Sequence, residues 1–505
     1  MTTEKPIPAD ITLLNLNLLY VRYVDYIDKE LHVPLGCLYL TRALEDAGFM
    51  VDFRDYQLND YQEPFATARI VDFLEGAAPT VGFSCMANLL PFTLMAMKEY
   101  KLQHPDSFLI LGGVGAKSVE EKILDRCPWV DLIAVGEGEK AAPLLLAALK
   151  AKTDLSDVPG IVTRRNGAVF RSPLAPRIKN LDEIPFPAFH KVDLSRYRGY
   201  GMMTSRGCPY PCTFCSVAPI WEHESTFRSN ADIIEEMRVL HEQAQVKMFL
   251  FQDEFFVSSK AKVLSFCADL KRSGLLAVWK AFGRVDLTDR EMMEAMADAG
   301  CVELRFGIES GSDRILSMTK KGFTAVQAIE KVAEAIPLFP RVDAFYMWGF
   351  PFETMEDFHQ TVFQMISVRM MGGRVLPSLL CLLPQTDLYK TCEGKYPLDF
   401  SWELFPEYMI TGHEMSSLSK VTIPDEHRPI YDFILANPDL FPGFYHMDLR
   451  GNVLPKLAVL RKFGFYPEET APESTESCGA HSPRTTSAPH LASRSLDSET
   501  ATPTG

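Results

Sequence analysis

Short apolar runs alternate with amphipathic stretches along most of the 505 residues. ITLLNLNLL (11–19), MVDFRDY (50–56), TVGFSCM (80–86), FLILGGVG (108–115) and VDLIAVGEGE (130–139) each predict a strand. PLGCLYLTRALEDAGF (34–49) predicts a helix ending at Gly48, and PFTLMAMKEYKLQHP (91–105) predicts another. Continuous apolar strands separated by helices imply a parallel sheet covered on both faces. Residues 1–150 therefore read as a doubly wound, Rossmann-like α/β domain, with glycines at strand ends, where such sheets bind ligands. Residues 151–195 are proline-rich and irregular: DVPGIVTRRNG reads as a small hairpin and NLDEIPFPAFHKVDL as a linker.

The alternation restarts near residue 200. GYGMMTSRG, KMFLFQDEF, AVWKAFGRV, VELRFGIES, VDAFYMWGF and VLPSLLCLL read as strands. NADIIEEMRVLHEQ, DREMMEAMADAG and AVQAIEKVAEAIPLF between them carry helical periodicity. Six βα units over 196–394 predict a full or partial (β/α)6 barrel of the TIM type, with its site at the carboxyl ends of the strands. Residues 395–466 are aromatic and mainly helical and are expected to cap the barrel; 467–505 collapse to Ser, Thr, Pro, Glu and Ala, the composition of a disordered tail.

A net charge of −15 argues against a nucleic-acid surface, which needs basic patches. No apolar run reaches the roughly 20 residues of a transmembrane span. The N-terminus does not read as a signal peptide, so a cytoplasmic location is expected. Most of the 11 cysteines, among them Cys37, Cys85, Cys267, Cys301 and Cys381, stand alone in apolar contexts, which suits a reducing compartment and buried thiols.

Three cysteines do not stand alone. In SRGCPYPCTFC, residues 205–215, Cys208, Cys212 and Cys215 follow the first barrel strand. Four thiolates would close a zinc site or fill a [4Fe–4S] cluster; three leave one iron open. Gly207, Pro209 and Pro211 keep the loop from continuing as a helix, and Phe214 is placed to shield a cluster. A zinc knuckle with His223 as fourth ligand is the alternative on the residues alone.

The C-x3-C-x2-C spacing directly after a first barrel strand resembles the radical S-adenosylmethionine (SAM) superfamily. The resemblance implies that the three cysteines hold a [4Fe–4S] cluster whose open iron chelates SAM. It assigns SAM contacts to later strand ends: Gln252, Asp253 and Glu254 in FLFQDEFF, Arg284 in FGRVD, Glu309, Ser310 and Gly311 in FGIESGSDRIL, and Gly349 and Pro351 in WGFPFET. LLPQTDLY is a looser match, with Gln385 where the usual phrase has glycine.

An α/β domain ahead of such a barrel resembles the cobalamin-binding members of that superfamily. The resemblance implies a corrin site at Gly112, Gly113 and Gly115 of LGGVG and at Gly136, Glu137 and Gly138 of VGEGE. None of the 11 histidines lies in the Asp-x-His-x-x-Gly phrase that offers cobalt a lower ligand. The expected activity is methylation of an unactivated carbon on a small-molecule, lipid or peptide substrate. An external donor of the flavodoxin or ferredoxin type would supply electrons. The alternatives are a cobalamin-dependent cyclase or oxidoreductase, a radical SAM enzyme that no longer binds cobalamin, and a non-catalytic cluster protein. No catalytic acid or base stands out.

Overall fold

The computed structural model describes residues 9–18, 20–22, 27–29, 31–253, 255–402, 404, 409 and 427–466. The tail expected over 467–505 lies outside them, as does Glu254.

The first sheet contains β1 (Ile11–Asn15), β2 (Val51–Asp55), β3 (Thr80–Ser84), β4 (Phe108–Gly112), β5 (Leu132–Ala134), β6 (Ile161–Arg165) and β7 (Ala168–Arg171), in the order β2-β1-β3-β4-β5-β6-β7. The first five are parallel, and β6 and β7 add an antiparallel hairpin. The hairpin predicted outside the domain thus extends its sheet. Helices α1 (Leu35–Asp46), α2 (Thr67–Phe73), α3 (Leu90–Gln103), α4 (Glu120–Arg126) and α5 (Gly138–Ala151) follow the parallel strands. Alternate strand residues feed two cores: Leu14, Leu109 and Leu111 on one side, Ile11, Leu13 and Ile110 on the other. The strand order reverses beside β1, which opens a crevice at the carboxyl ends of β1 and β3.

The second sheet is parallel and runs in chain order through β8 (Gly201–Met202), β9 (Met248–Phe251), β10 (Val278–Gly283), β11 (Cys301–Glu309), β12 (Arg341–Trp348) and β13 (Arg374–Leu379). Among the described residues β8 and β13 are its edges, so the barrel is partial. Helices α6 (Asn230–Ala244), α7 (Lys260–Arg272), α8 (Arg290–Asp298), α9 (Ala325–Ala335) and α10 (Met355–Met370) cover it. Phe251, Phe256, Phe266 and Trp279 form one buried aromatic knot, with Phe251 and Trp279 stacked at 5.0 Å.

The segment expected to cap the barrel packs on it and also reaches the first sheet. β14 (Leu398–Phe400) and β15 (Tyr445–Met447) pair antiparallel. Ile430, Tyr431 and Ile434 of α11 (Arg428–Ala436) join the core of the first sheet. Leu457 and Leu460 of α12 (Leu454–Lys462) join that of the barrel. Phe400, Trp402, Tyr431 and Tyr445 pack edge-on in a chain of rings, and Tyr431 and Tyr445 extend the core of the first sheet. Asp439 anchors the bridge through Arg126, at 2.7 and 2.9 Å, and Lys122, at 3.1 Å.

One cap organises the barrel near its site. Thr354 and Asp357 form a capping box at the start of α10. The Asp357 carboxylate also accepts from the Ser312 hydroxyl at 2.7 Å and from Arg314 Nε at 3.1 Å, tying the loop after β11 to that helix. Burial works against the charged form, yet hydrogen bonds from Arg314, Thr354 and Ser312 hold the Asp357 carboxyl well below the usual carboxylate range. A depressed carboxyl stabilises the fold fully above its unfolded value, about 3.9, and loses that effect as pH falls through the lower folded value. Asp357→Asn is expected to destabilise the protein by about 2 kcal/mol at pH 7. In urea unfolding, the gap to the parent protein should narrow below pH 4. A gap that is constant with pH would remove the charge from the explanation.

Candidate functional site

The three clustered cysteines lie where β8 gives way to a loop. Ser205 and Arg206 leave the sheet and pair antiparallel with Thr226 and Phe227. Gly207 then turns the chain at φ +82°, where a Cβ would sit 2.2 Å from the Glu224 carbonyl and 2.7 Å from Trp221 Cβ. Only glycine fits there. Cys215 N–H donates to the Cys212 carbonyl at 3.1 Å. Thr213 ties the loop down on two sides: its N–H donates to Thr319 O at 3.1 Å, and its carbonyl accepts from Leu388 N–H at 2.8 Å. The Phe214 ring packs 6.0 Å from that of Phe350, which joins the loop to the end of β12.

All three thiols are reduced and partly exposed. Burial pushes the Cys215 thiol up to about 11, and the neighbouring Cys212 and Cys208 sulfurs add to the rise. Arg284 reaches Cys212 from the end of β10, with Nη1 3.7 Å from Sγ. Its guanidinium lies 3.6 Å from the centre of the Tyr210 ring, pairs with both Asp286 oxygens at 3.0 Å and donates to the Lys321 carbonyl at 2.6 Å.

The other strand ends divide into residues that face the loop and residues that turn inward. Glu309 is a non-glycine residue at φ +72°, beside a register shift in β11. Its carboxylate pairs with Lys321 Nζ at 3.0 Å, and the same amine lies 5.8 Å from the Phe214 ring. Strained backbone at a strand end points to a functional position. Ser310, by contrast, is fully buried and shares a hydrogen bond with the Thr361 hydroxyl at 2.9 Å. Gly311 packs on α10, where a Cβ would lie 2.6 Å from the Gln360 carbonyl. Asp253 also turns inward: it accepts from Thr204 N–H at 2.8 Å and from the Thr204 and Ser205 hydroxyls at 2.6 Å. Gln252 is exposed, and its amide meets His32 Nδ1 at 3.1 Å. Gly349 N–H donates to the buried Glu353 carboxylate at 3.0 Å, with Pro351 on the outer side of that turn.

At the carboxyl-end edge of the first sheet, Gly113 and Gly115 pack closely on the neighbouring loop. A Cβ on either would fall 2.5 Å from Cys85 O or 2.7 Å from Met86 O. Their size lets the turn after β4 lie on the loop after β3. Gly112 has room for a Cβ, its nearest neighbour being Phe83 O at 3.7 Å. Gly136 and Gly138 flank Glu137, whose carboxylate faces the cysteine loop: it accepts from Arg206 Nη1 at 2.8 Å and from Ile178 N–H at 2.7 Å. Met86, Val114 and Leu174 remain 38%, 48% and 42% exposed around this edge.

The radical SAM superfamily pattern matches residues 202–365, and the B12-binding domain pattern matches residues 28–146. An uncharacterized methyltransferase of Pyrococcus horikoshii is 30% identical over 336 residues, covering 65% of this chain and 72% of that one. The chain belongs to the B12-binding radical SAM superfamily. The anaerobic magnesium-protoporphyrin IX monomethyl ester cyclase of Rubrivivax gelatinosus is 27% identical over 346 residues, 65% of this chain; the match spans 61% of that cyclase's length. The radical SAM methyltransferase TsrM of Kitasatospora setae shares the fold at 18% identity. Its complex with tryptophan and a SAM analogue gives a TM-score of 0.62, covering 78% of each chain.

As a radical SAM enzyme the protein uses a [4Fe–4S] cluster and SAM, and its B12 domain takes cobalamin. The donor set fits the cluster: three thiols on one loop, with Arg284 against one sulfur and Lys321 close by. Among the described residues no three His, Cys, Asp or Glu side chains converge at single-ion spacing. A cubane takes its thiolates on three separate irons. His223 is exposed on the turn after Trp221. The pair Glu309–Lys321, the exposed amide of Gln252 and Arg284 are the polar groups beside the loop that would contact SAM. Met86, Val114 and Leu174 suit the apolar face of a corrin. When bound, the cluster supplies the electron that splits SAM. The chain's own part would be to hold the three sulfurs, orient SAM through these polar groups and screen the loop from water with Phe214 and Phe350. Lys321, Arg206 and His32 were not singled out by sequence; the TKKGFT phrase (319–324), beyond β11, was the one local signal for Lys321.

Proposed function

We propose that this enzyme transfers a methyl group from cobalamin to an unactivated carbon of a small-molecule, lipid or peptide substrate. The observation that carries this reading is the joining of the B12-binding edge to the cysteine loop within one unit, Met1–Pro467, through the buried contact of Glu137 with Arg206. A methyltransferase name on the relative that is 30% identical supports it. Cobalamin would hold the methyl group, and SAM would serve both as radical source and as methyl donor. The electron would come from a flavodoxin- or ferredoxin-type protein, and a reducing cytoplasm suits the buried thiols outside the loop among the described residues, Cys37, Cys85, Cys127, Cys267, Cys301 and Cys392. Among the described residues no helix is long and apolar enough to cross a membrane.

The test is SAM turnover by anaerobically reconstituted protein under reduction, with and without cobalamin. The reading predicts 5′-deoxyadenosine together with S-adenosylhomocysteine, the second only when cobalamin is present. The cyclase relative motivates the rival outcome. Retained corrin and deoxyadenosine with no S-adenosylhomocysteine would replace methyl transfer with cyclisation or oxidation.

A further inference from the structure

Arg206 stands two residues before Cys208, yet its charge is neutralised by the other half of the protein. Nη1 donates to Glu137 Oε1 at 2.8 Å and Nη2 donates to Glu139. All three side chains are buried or nearly so, at 8%, 7% and 13% exposure. Both carboxylates lie just beyond β5, on the edge of the first sheet that the corrin reading assigns. The other flank of the cysteine loop is held from the same side. Arg177, in the linker, donates to the Trp221 carbonyl at 2.9 Å and the Glu224 carbonyl at 3.2 Å, with its guanidinium 5.1 Å from the Trp221 ring. Arg206 lies 5.7 Å from that ring.

We infer that Arg206 is a positioning residue that fixes the separation between the three thiols and the B12-binding edge. Sliding one half against the other would leave two carboxylates and a guanidinium out of water and unpaired, which is the costly state of a buried ion pair. A fork of five donors can serve both carboxylates at once; a lysine ammonium cannot do so in the same plane. The lock is made between the guanidinium and two carboxylates, away from the Cys212 contact that Arg284 makes. It therefore governs how a group on the corrin meets a group on the cluster side, and not whether the cluster forms. This inference rests on the proposed methyl transfer, because that reaction needs both sites in register.

The experiment compares full-length Arg206→Lys, Arg206→Gln and Glu139→Gln with the parent protein. Iron content and 5′-deoxyadenosine formation should stay within about twofold, while cobalamin-dependent S-adenosylhomocysteine falls about tenfold or more, a loss of positioning of the kind small misalignments cause. Without any cofactor, hydrogen–deuterium exchange should rise in 135–139 and 205–215 and stay unchanged in the barrel helices. A charge swap, Arg206→Glu with Glu139→Arg, should restore slow exchange and part of the product ratio. Unchanged exchange and an unchanged product ratio in Arg206→Gln would overturn the inference. Equal loss of iron, deoxyadenosine and S-adenosylhomocysteine would overturn it too, by making the residue one of general folding. If the parent protein forms no S-adenosylhomocysteine, the methyl-transfer reading fails, and the exchange comparison alone then decides whether the lock exists.

Discussion

Replacing any one of Cys208, Cys212 and Cys215 by alanine is expected to remove the cluster and to reduce SAM cleavage to background. The loop holds three thiols, and no carboxylate or imidazole joins them in a three-ligand group among the described residues, so nothing substitutes for a lost sulfur. The iron bound after anaerobic reconstitution should fall from about four per chain to a small residue. The fold should survive, because the cysteines are partly exposed and contribute little to either core. Loading should also depend on pH in a stated direction. Thiolates, not thiols, bind iron, and burial pushes Cys215 up to about 11, so assembly must displace its proton. Reconstitution should therefore be more complete at pH 8.5 than at pH 6.5. Far-UV circular dichroism checks the fold, and the visible absorption of the cluster checks the loading. A variant with normal cluster absorption and normal turnover would sink the assignment of these ligands.

Lys456→Met is expected to be the most destabilising single change away from the cysteines. Lys456 lies in α12 and is 1% exposed; its partner Glu353, in the turn after β12, is fully buried. Nζ lies 2.7 Å from Glu353 Oε2 and donates to the Glu353 carbonyl at 2.9 Å. Asn452, one turn earlier, donates to the Gly349 and Phe350 carbonyls at 3.0 and 3.1 Å. Burial raises the Glu353 carboxyl and the lysine opposes it, so the charge on one depends on the charge on the other. Removing only the cation leaves an uncompensated carboxylate in the core, at a cost of about 3–5 kcal/mol. Removing both charges, in Lys456→Met with Glu353→Gln, should recover most of that loss. The turn that carries Gly349 and Pro351 hangs on this pair, so the single variant should also bind SAM more weakly. Urea unfolding of the two variants measures the difference. A single variant within about 1 kcal/mol of the parent would show that the pair is dispensable.

The strands were legible because most carry short apolar runs between glycine-, proline- or polar-rich turns, and helical stretches separate them. The cysteine loop was legible because spacing, glycine and proline act locally. What pairs over long distances was not. The ion pairs of Arg206 with Glu137 and of Lys456 with Glu353 join residues 69 and 103 positions apart, and no periodicity records them. The amphipathic face of α11 announces that it is buried but not against what, and α12 carries little such signal; one went to each half. Gly113 and Gly115 also lie against the loop after β3, a packing demand that the glycines alone did not reveal. Asp253 and Ser310 occupy the right strand ends, yet the short reach of their side chains lets inward hydroxyl partners take them. Glu309 shows the converse: its left-handed backbone could not be foreseen from sequence, and it marks a strand end tied to the loop through Lys321.

The central claim is that three sulfurs leave one iron open for SAM. Electron paramagnetic resonance of the reduced, fully loaded protein tests it most directly, recorded before and after SAM is added. A change in the cluster signal on adding SAM, lost when SAM is omitted, is the predicted result, because a ligand has reached an iron that the chain leaves uncovered. An identical signal with and without SAM, in protein carrying about four irons, would mean that the cluster is closed and the account wrong.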